Sequence, residues 1–141
     1  VTNVGLQLNG GEHRIIGSTV DASGTGATAI DSSGGQQEVV NCSLLTQGGG
    51  SSSPAIWVHG SMLSATNVIA KSANGYGAKI DAGTLLLDRS TVFGNNKSVQ
   101  ANAGGQALIA VSKLSGAPQN SGGNYICFNN YDFDYTALAC P

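Results

Sequence analysis

Apolar residues along this chain return in short alternations rather than in helical stripes. A six-residue pattern of apolar, any, any, Ser/Thr/Cys, any, apolar occurs at 15–20, 39–44, 63–68, 87–92 and 109–114. Its copies open on Ile15, Val39, Leu63, Leu87 and Ile109, at offsets of 24, 24, 24 and 22 residues. A second ladder runs ahead of the first through Leu6, Ile30, Ile56 and Ile80, at offsets of 24, 26 and 24. A near-constant period of this size predicts a repeat architecture. Each unit is too short to bury its own apolar face, so neighbouring units must stack.

The alternation predicts short strands with one face turned inward and one outward. Between them lie turn-forming segments such as Asn9-Gly10-Gly11, Ser32-Ser33-Gly34-Gly35 and Asn74-Gly75, where Gly and Asn accept the left-handed backbone of tight turns. No window holds a 3.6-residue period over three turns, so no long helix is expected. One coil is then strand, turn, strand and longer loop. The chain reads as a single domain of about five coils, at approximately 4–27, 28–53, 54–77, 78–99 and 100–123, closed by a cap over 124–141. Strands of successive coils run parallel at ~4.8 Å, stacking like residues on like. Ser18, Cys42, Thr66, Ser90 and Ser112 form one such column, expected at a corner where a small hydroxyl bonds the turn backbone.

Composition narrows the class. The 141 residues amount to one domain. Charged residues make up only 10% and Gly numbers 21, a balance that also suits disordered linkers. The 40% of apolar residues, placed periodically, argue instead for a stacked core. A net charge of −2 without a basic run predicts no nucleic-acid partner. No apolar run reaches bilayer length, so no membrane span is expected. The absence of an initial Met and of a leader pattern reads as a mature or trimmed product, secreted after loss of its signal. With no Cys-x-x-Cys motif and no Cys/His cluster, neither a metal nor a cofactor is expected. Of the three cysteines, Cys42 sits in the small-residue column as a buried side chain. Cys127 and Cys140 bracket the final segment; they are either two free thiols or a disulfide worth roughly 3 kcal/mol by loop entropy, the latter implying an oxidising compartment.

The apolar-x-Asn-Ser/Cys-x-apolar rung, clearest from Val39 through Asn41 and Cys42 to Leu44, resembles that of right-handed parallel β-helix proteins of the pectin-lyase-like type. The resemblance covers residues 4–123. The ending, with Tyr125, Cys127, Phe128, Tyr131, Phe133, Tyr135 and Cys140, is similar to the closing segment of secreted bacterial β-helix proteins of unassigned function. What the resemblance implies is an all-β, right-handed solenoid. It admits enzymes as well as binding proteins, because lyases of that superfamily cluster Asp around calcium and its hydrolases use a group of Asp. Only eight carboxylates occur here, and none pairs as Asp-Asp or Asp-x-Asp within the coils. No catalytic residue is therefore assigned, and fold alone does not transfer function.

One outward constellation carries candidate chemistry. If Ile30, Ile56 and Ile80 point inward, then Asp31, Trp57 and Asp81 stack outward on consecutive rungs, with His59 facing the same way. The carboxylates would lie roughly 9–10 Å apart with the indole between them. An exposed ring flanked by acids suits a sugar, whose ring it covers while the carboxylates accept hydroxyl hydrogens. The competing reading has Trp57 packed under the loop 45–53 and both Asp residues capping turns. Glu12-His13-Arg14 reads as a solvated turn, and the adjacent Asp88 and Arg89 as structural. Three functions follow. The first is an extracellular, non-enzymatic module binding polysaccharide or another cell-surface component. The second is a fibre subunit that self-associates through an uncapped N-terminal end. The third is a truncated or degenerate carbohydrate-active enzyme.

Overall fold

The computed structural model describes residues 3–48, 50–132, 134, 136–139 and 141. Among them it holds fifteen strands and no helix: β1 (Val4–Asn9), β2 (Glu12–Ile16), β3 (Thr19–Ser23), β4 (Thr28–Ser33), β5 (Gln36–Val40), β6 (Ser43–Gln47), β7 (Ile56–Thr66), β8 (Ile69–Ser72), β9 (Tyr76–Asp88), β10 (Thr91–Gly94), β11 (Lys97–Asn102), β12 (Gly105–Ala110), β13 (Lys113–Ser115), β14 (Gln119–Ser121) and β15 (Asn124–Phe128). They wind into a parallel β-solenoid of about six turns. The first face stacks β1-β4-β7-β9-β11-β14, and the third stacks β3-β6-β8-β10-β13. The second face joins β2, β5, β12 and β15 to the C-terminal halves of β7 and β9. These two long strands serve two faces by bending at Gly60 and Gly83, whose φ values of 88 and 90 favour glycine. A Cβ on Gly83 would come 2.2 Å from the Ser61 carbonyl, so the corner also requires the absence of a side chain.

The corner from the second to the third face is built the same way in every turn. One residue, successively Gly17, Asn41, Asn67, Arg89, Val111 and Asn129, takes a φ between 47 and 60, and a small side chain follows it. The backbone N–H of Ser18 donates to Cys42 Sγ (3.4 Å), that of Val68 to Ser90 Oγ (3.1 Å), that of Ser90 to Ser112 Oγ (3.2 Å) and that of Ser112 to Asn130 Oδ1 (2.9 Å). Each hydroxyl or thiol in turn donates to a carbonyl two residues back, as Ser90 Oγ does to Asp88 O at 2.9 Å and Ser112 Oγ to Ala110 O at 2.7 Å. The column is the expected hydrogen-bonded one, with one correction. Val68, not Thr66, occupies the third position. Val39 pairs with Ala65, and Ala65 with Leu87, so the third repeat is 65–70 and its neighbours lie 26 and 22 residues away.

The same two-residue shift displaces the second ladder. Leu6, Ile30 and Ile56 stack as expected, but Ile56 then pairs with Ala78, while Ile80 pairs with Val58. Because the shift is even, every inward residue stays inward. Leu63, Leu85, Leu87, Ile109, Val92 and Leu114 are sealed in one continuous core. Truncating such a residue to Ala costs about 2–5 kcal/mol.

The turn count also differs from the expected five. Residues 119–121 and 124–128 form β14 and β15, which pair in parallel with β11 and β12 as a further rung. The tail behind them is fastened by Tyr131, whose N–H donates to Ser112 O (3.0 Å), and by Leu138, whose N–H donates to Asn130 O (2.8 Å) and whose side chain packs on the core. Glu12-His13-Arg14 is not a turn but part of β2, where Arg14 and Glu38 form an exposed ion pair (2.6 Å). Cys42 is buried and free. The expected Cys127–Cys140 bridge lies outside the described residues, because Cys140 does.

Candidate functional site

The first face carries a polar network that spans five turns. Asp31 on β4 is directly opposite Trp57 on β7, and Trp57 is opposite Lys79 on β9. Between Val58 and His59 the β7–β9 register slips, so that Ile80 pairs with Val58 and Ala82 with His59. Asp81 is the unpaired residue of that bulge. A bulge re-aims the side chain it releases, and here the Asp81 carboxylate lies within reach of residues on three strands.

Trp57 Nε1 donates to Asp81 Oδ2 at 2.6 Å, and Lys79 Nζ donates to the same oxygen at 3.1 Å. Asn102 on β11 donates through Nδ2 to the other oxygen. Its Oδ1 accepts from Gln100 Nε2 (3.0 Å), which also reaches Ser121 Oγ on β14 (3.2 Å). On the opposite flank, His59 Nε2 bonds Asp31 Oδ1. A carboxylate only accepts, so Nε2 carries the hydrogen of that bond. The Trp57 and His59 rings lie 5.0 Å apart at 50°, and Lys79 Nζ sits 5.1 Å from the indole centroid, within cation–π range.

These contacts set the electrostatics. Burial pushes the Asp81 carboxyl up, but the hydrogen bonds from Trp57, Lys79 and Asn102, together with the Lys79 charge, outweigh it and hold the group below its ordinary value. Asp31 is only 7% exposed, whereas the His59 side chain is 36% exposed. The outer surface of the site therefore presents an imidazole edge, part of an indole, amide groups and the Asp81 carboxylate, whose side chain is 31% exposed, with only Asp31 beneath.

All four residues singled out in the sequence meet on this face, but in two linked pairs rather than in one column. Trp57 does not separate two free acids; it is hydrogen-bonded to one of them. It also lies against the 52–54 segment, where Ser52, Ser53 and Pro54 line a cleft of about 190 Å³ with it. Of the competing reading, only residues 52 and 53 of the loop 45–53 share this cleft with Trp57, and Asp31 and Asp81 accept from side chains rather than cap turns. Lys79, Gln100 and Asn102 were not anticipated. The signal that would have found them is the second fit of the repeat, Ala65-Thr66-Asn67-Val68-Ile69-Ala70, which puts Lys79 opposite Trp57. A larger groove of about 540 Å³ lies on the second face beside Arg14, Glu38, Met62 and Leu86. Its ion pair is 63% and 45% exposed and worth about 0–1 kcal/mol, and no buried charged group converges there.

No family model, no curated protein and no solved structure matches this chain.

Proposed function

We propose that the chain is an extracellular, non-enzymatic solenoid module, akin to the pectin-lyase-like β-helices, that binds polysaccharide across its first face. The observation that carries this reading is the network from Asp31 to Ser121, built on five successive turns around a single indole. A sugar chain presents alternating hydroxyl edges and C–H faces. The indole offers a surface for the faces, while amides, imidazole and hydroxyls offer both donors and acceptors for the edges. Their orientations are fixed by one another, so little ordering cost remains on binding. Binding is favoured over hydrolysis because Asp81 already accepts from three donors and Asp31 from His59. Asp81, held ionised by those donors, is not poised as the proton donor that a glycosidase pair requires.

Trp57 is the single tryptophan of the chain, so its fluorescence reports directly on the site. Titration with a panel of soluble neutral and acidic polysaccharides is expected to shift its emission. Retardation in polysaccharide-containing native gels should be lost in Trp57→Ala and weakened in His59→Ala. Retardation that survives Trp57→Ala would sink the site. Release of reducing or unsaturated sugar, abolished by Asp31→Asn, would replace this reading with a catalytic one.

A second reading, self-association, is favoured by one observation. Among the described residues β15 pairs only with β12, and it exposes Ile126 (57%) and Phe128 (66%). An apolar edge strand invites another strand. Growth of the light-scattering mass with concentration, suppressed by Phe128→Lys, would support it.

A further inference from the structure

The outward ladders of the three faces differ in kind. On the first face Gln7, Asp31, Trp57, Lys79 and Gln100 follow one another, so the indole is the one large apolar group in the row. On the third, Leu45 and Phe93 are kept apart by Lys71. The central ladder of the second face runs Arg14, Glu38, Ser64, Leu86, Leu108 and Ile126. Its last three members are apolar on consecutive turns, and Phe128, stacked on Ala110 in the neighbouring ladder, widens the same patch. Leu86 and Leu108 are outward residues and not core residues: Leu85, Leu87, Ala107 and Ile109 on either side of them are sealed, while these two are only half-buried. Ile126 and Phe128 are 57% and 66% exposed.

A contiguous outward patch of this kind marks a surface that meets another. Two properties of the face select a second copy of this chain as what covers it. The first is its gradient along the solenoid axis. Charge lies at the early end, in the exposed Arg14–Glu38 pair, and apolar surface at the late end. A partner that carries the same gradient in the same direction meets both halves at once, apolar against apolar and ion pair against ion pair. Arg14 uses its Nε–H on its own Glu38 at 2.6 Å, which leaves the outer N–H groups of the guanidinium fork for the other copy's Glu38. The second property is size. The face is six strands deep and five residues wide, roughly 480 Å² at ~4.8 Å per strand and ~3.3 Å per residue. Two such faces cover about 1,000 Å² in all, the least that a specific interface needs. The pairing therefore uses the whole face and is reversible.

We infer that the second face is a dimer interface: a second copy packs on it side by side and in the same direction, about a two-fold axis parallel to the solenoid axis. The central ladder lies in the middle of the face, so this axis sets it against its own counterpart at the ~10 Å separation of packed sheets. Leu86, Leu108 and Ile126 of one copy then cover those of the other. The contact uses the outer side of the sheet and not the β15 edge, and it closes at two copies. It leaves Trp57 and the first face open, so it stands apart from both readings of function given above.

The test is sedimentation equilibrium of the intact chain from micromolar to millimolar concentration. The mass is expected to rise from one chain to a plateau at two. Leu108→Lys lies on β12, one strand in from the β15 edge, and sets two ammonium groups face to face across the axis. It should weaken the dimer at least about a hundred-fold while Trp57 emission and the far-ultraviolet spectrum keep their native form. Ile69→Lys, at a 46% exposed apolar residue of the third face, should leave the plateau unchanged. Arg14→Glu should weaken the dimer, and Arg14→Glu combined with Glu38→Arg should restore it. A single-chain mass throughout overturns the inference, as does a plateau at two that survives Leu108→Lys or is lost equally in Ile69→Lys. A mass that climbs past two without a plateau, in Leu108→Lys as in the native chain, also overturns it and leaves the β15 edge as the route of association.

Discussion

Trp57 faces Lys79 across the β7–β9 ladder but gives its indole hydrogen to Asp81, two residues farther along the strand. The diagonal contact exists because Asp81 is the unpaired residue of a bulge. It couples the emission of the sole tryptophan to the charge of one carboxylate.

That coupling sets a pH dependence. The Asp81 carboxyl is held below its ordinary value of 3.8, so the native state favours its ionised form. The stabilisation is fully present above 3.8 and is lost as pH falls through the lower native-state value. The thermal midpoints of the native chain and of Asp81→Asn should therefore differ at neutral pH and converge below pH 3.8, with Trp57 emission shifting over the same range. A difference that persists undiminished in acid would show that the pair contributes nothing through its charge.

Tyr125 presents the opposite case, half-buried against the core in the last turn. Its hydroxyl reaches Gln119 O (2.7 Å) and Val99 O (3.1 Å) and accepts from the Ala101 N–H (3.0 Å). Burial dominates over these bonds and raises its pKa from 10.0 to about 12. The neutral form is favoured in the native state, so this stability is complete below pH 10 and disappears as pH rises toward about 12. Ultraviolet titration should show one of the four tyrosines ionising last, and that step should vanish in Tyr125→Phe. The same substitution strands backbone groups in the interior and should cost roughly 1–3 kcal/mol in denaturant unfolding.

Val111 is a β-branched residue at a φ of 48, in a corner where four other turns place Gly or Asn and one places Arg89. Left-handed backbone costs such a residue about 1–2 kcal/mol. Val111 is also 49% exposed, so little packing is lost by replacing it. Val111→Asn should stabilise the chain by roughly 1 kcal/mol, raising the thermal midpoint by some 2–4 °C. Asn67→Val, which imposes the same strain and breaks the 2.7 Å bond from Asn67 Nδ2 to Asn41 Oδ1, should lower it. A lower midpoint for Val111→Asn would refute the strain assignment.

Gly75 holds the cleft-forming segment in place. A Cβ there would lie 2.0 Å from the Ser53 carbonyl and 2.6 Å from its nitrogen. Gly75→Ala should push residues 52–54 outward, breaking the bond from Ser72 Oγ to Ser53 O and exposing Trp57. Faster iodide quenching of Trp57 checks this, and unchanged quenching would disprove it.

The period, the parallel stacking and the inward or outward sense of each residue were legible in the sequence, because alternation records the sense of every side chain. The register of the third turn was not. Leu63 and Ala65 are both apolar, and Thr66 fits the small-residue slot as well as Val68 fits its place in the column. A shift of two leaves the alternation intact, so only contacts between turns distinguish the registers. Asp31, Trp57 and His59 were found because their outward sense survives the shift. Lys79 and Asn102 were missed because their positions depend on the register itself. The sixth turn was hidden differently: Tyr125, Ile126, Cys127 and Phe128 are apolar on both faces, which erases the alternation that marks a strand.

The corner residues Gly17, Asn41, Asn67, Arg89, Val111 and Asn129 follow one another at intervals of 24, 26, 22, 22 and 18. Every interval is even. The solenoid is in effect counted in dipeptides: a turn can grow or shrink by whole in-and-out pairs with its core and surface unexchanged, whereas a single added residue inverts a strand unless a bend absorbs it. The extra pair lies ahead of β7, which pairs with β4 at an offset of 26 where β3 and β6 pair at 24; the slip beside His59 is a separate bulge, and it is what brought Asp81 to Trp57. Change in this fold is therefore free to lengthen its coils in steps of two, and each step re-pairs the outward residues of neighbouring turns without disturbing what lies inside.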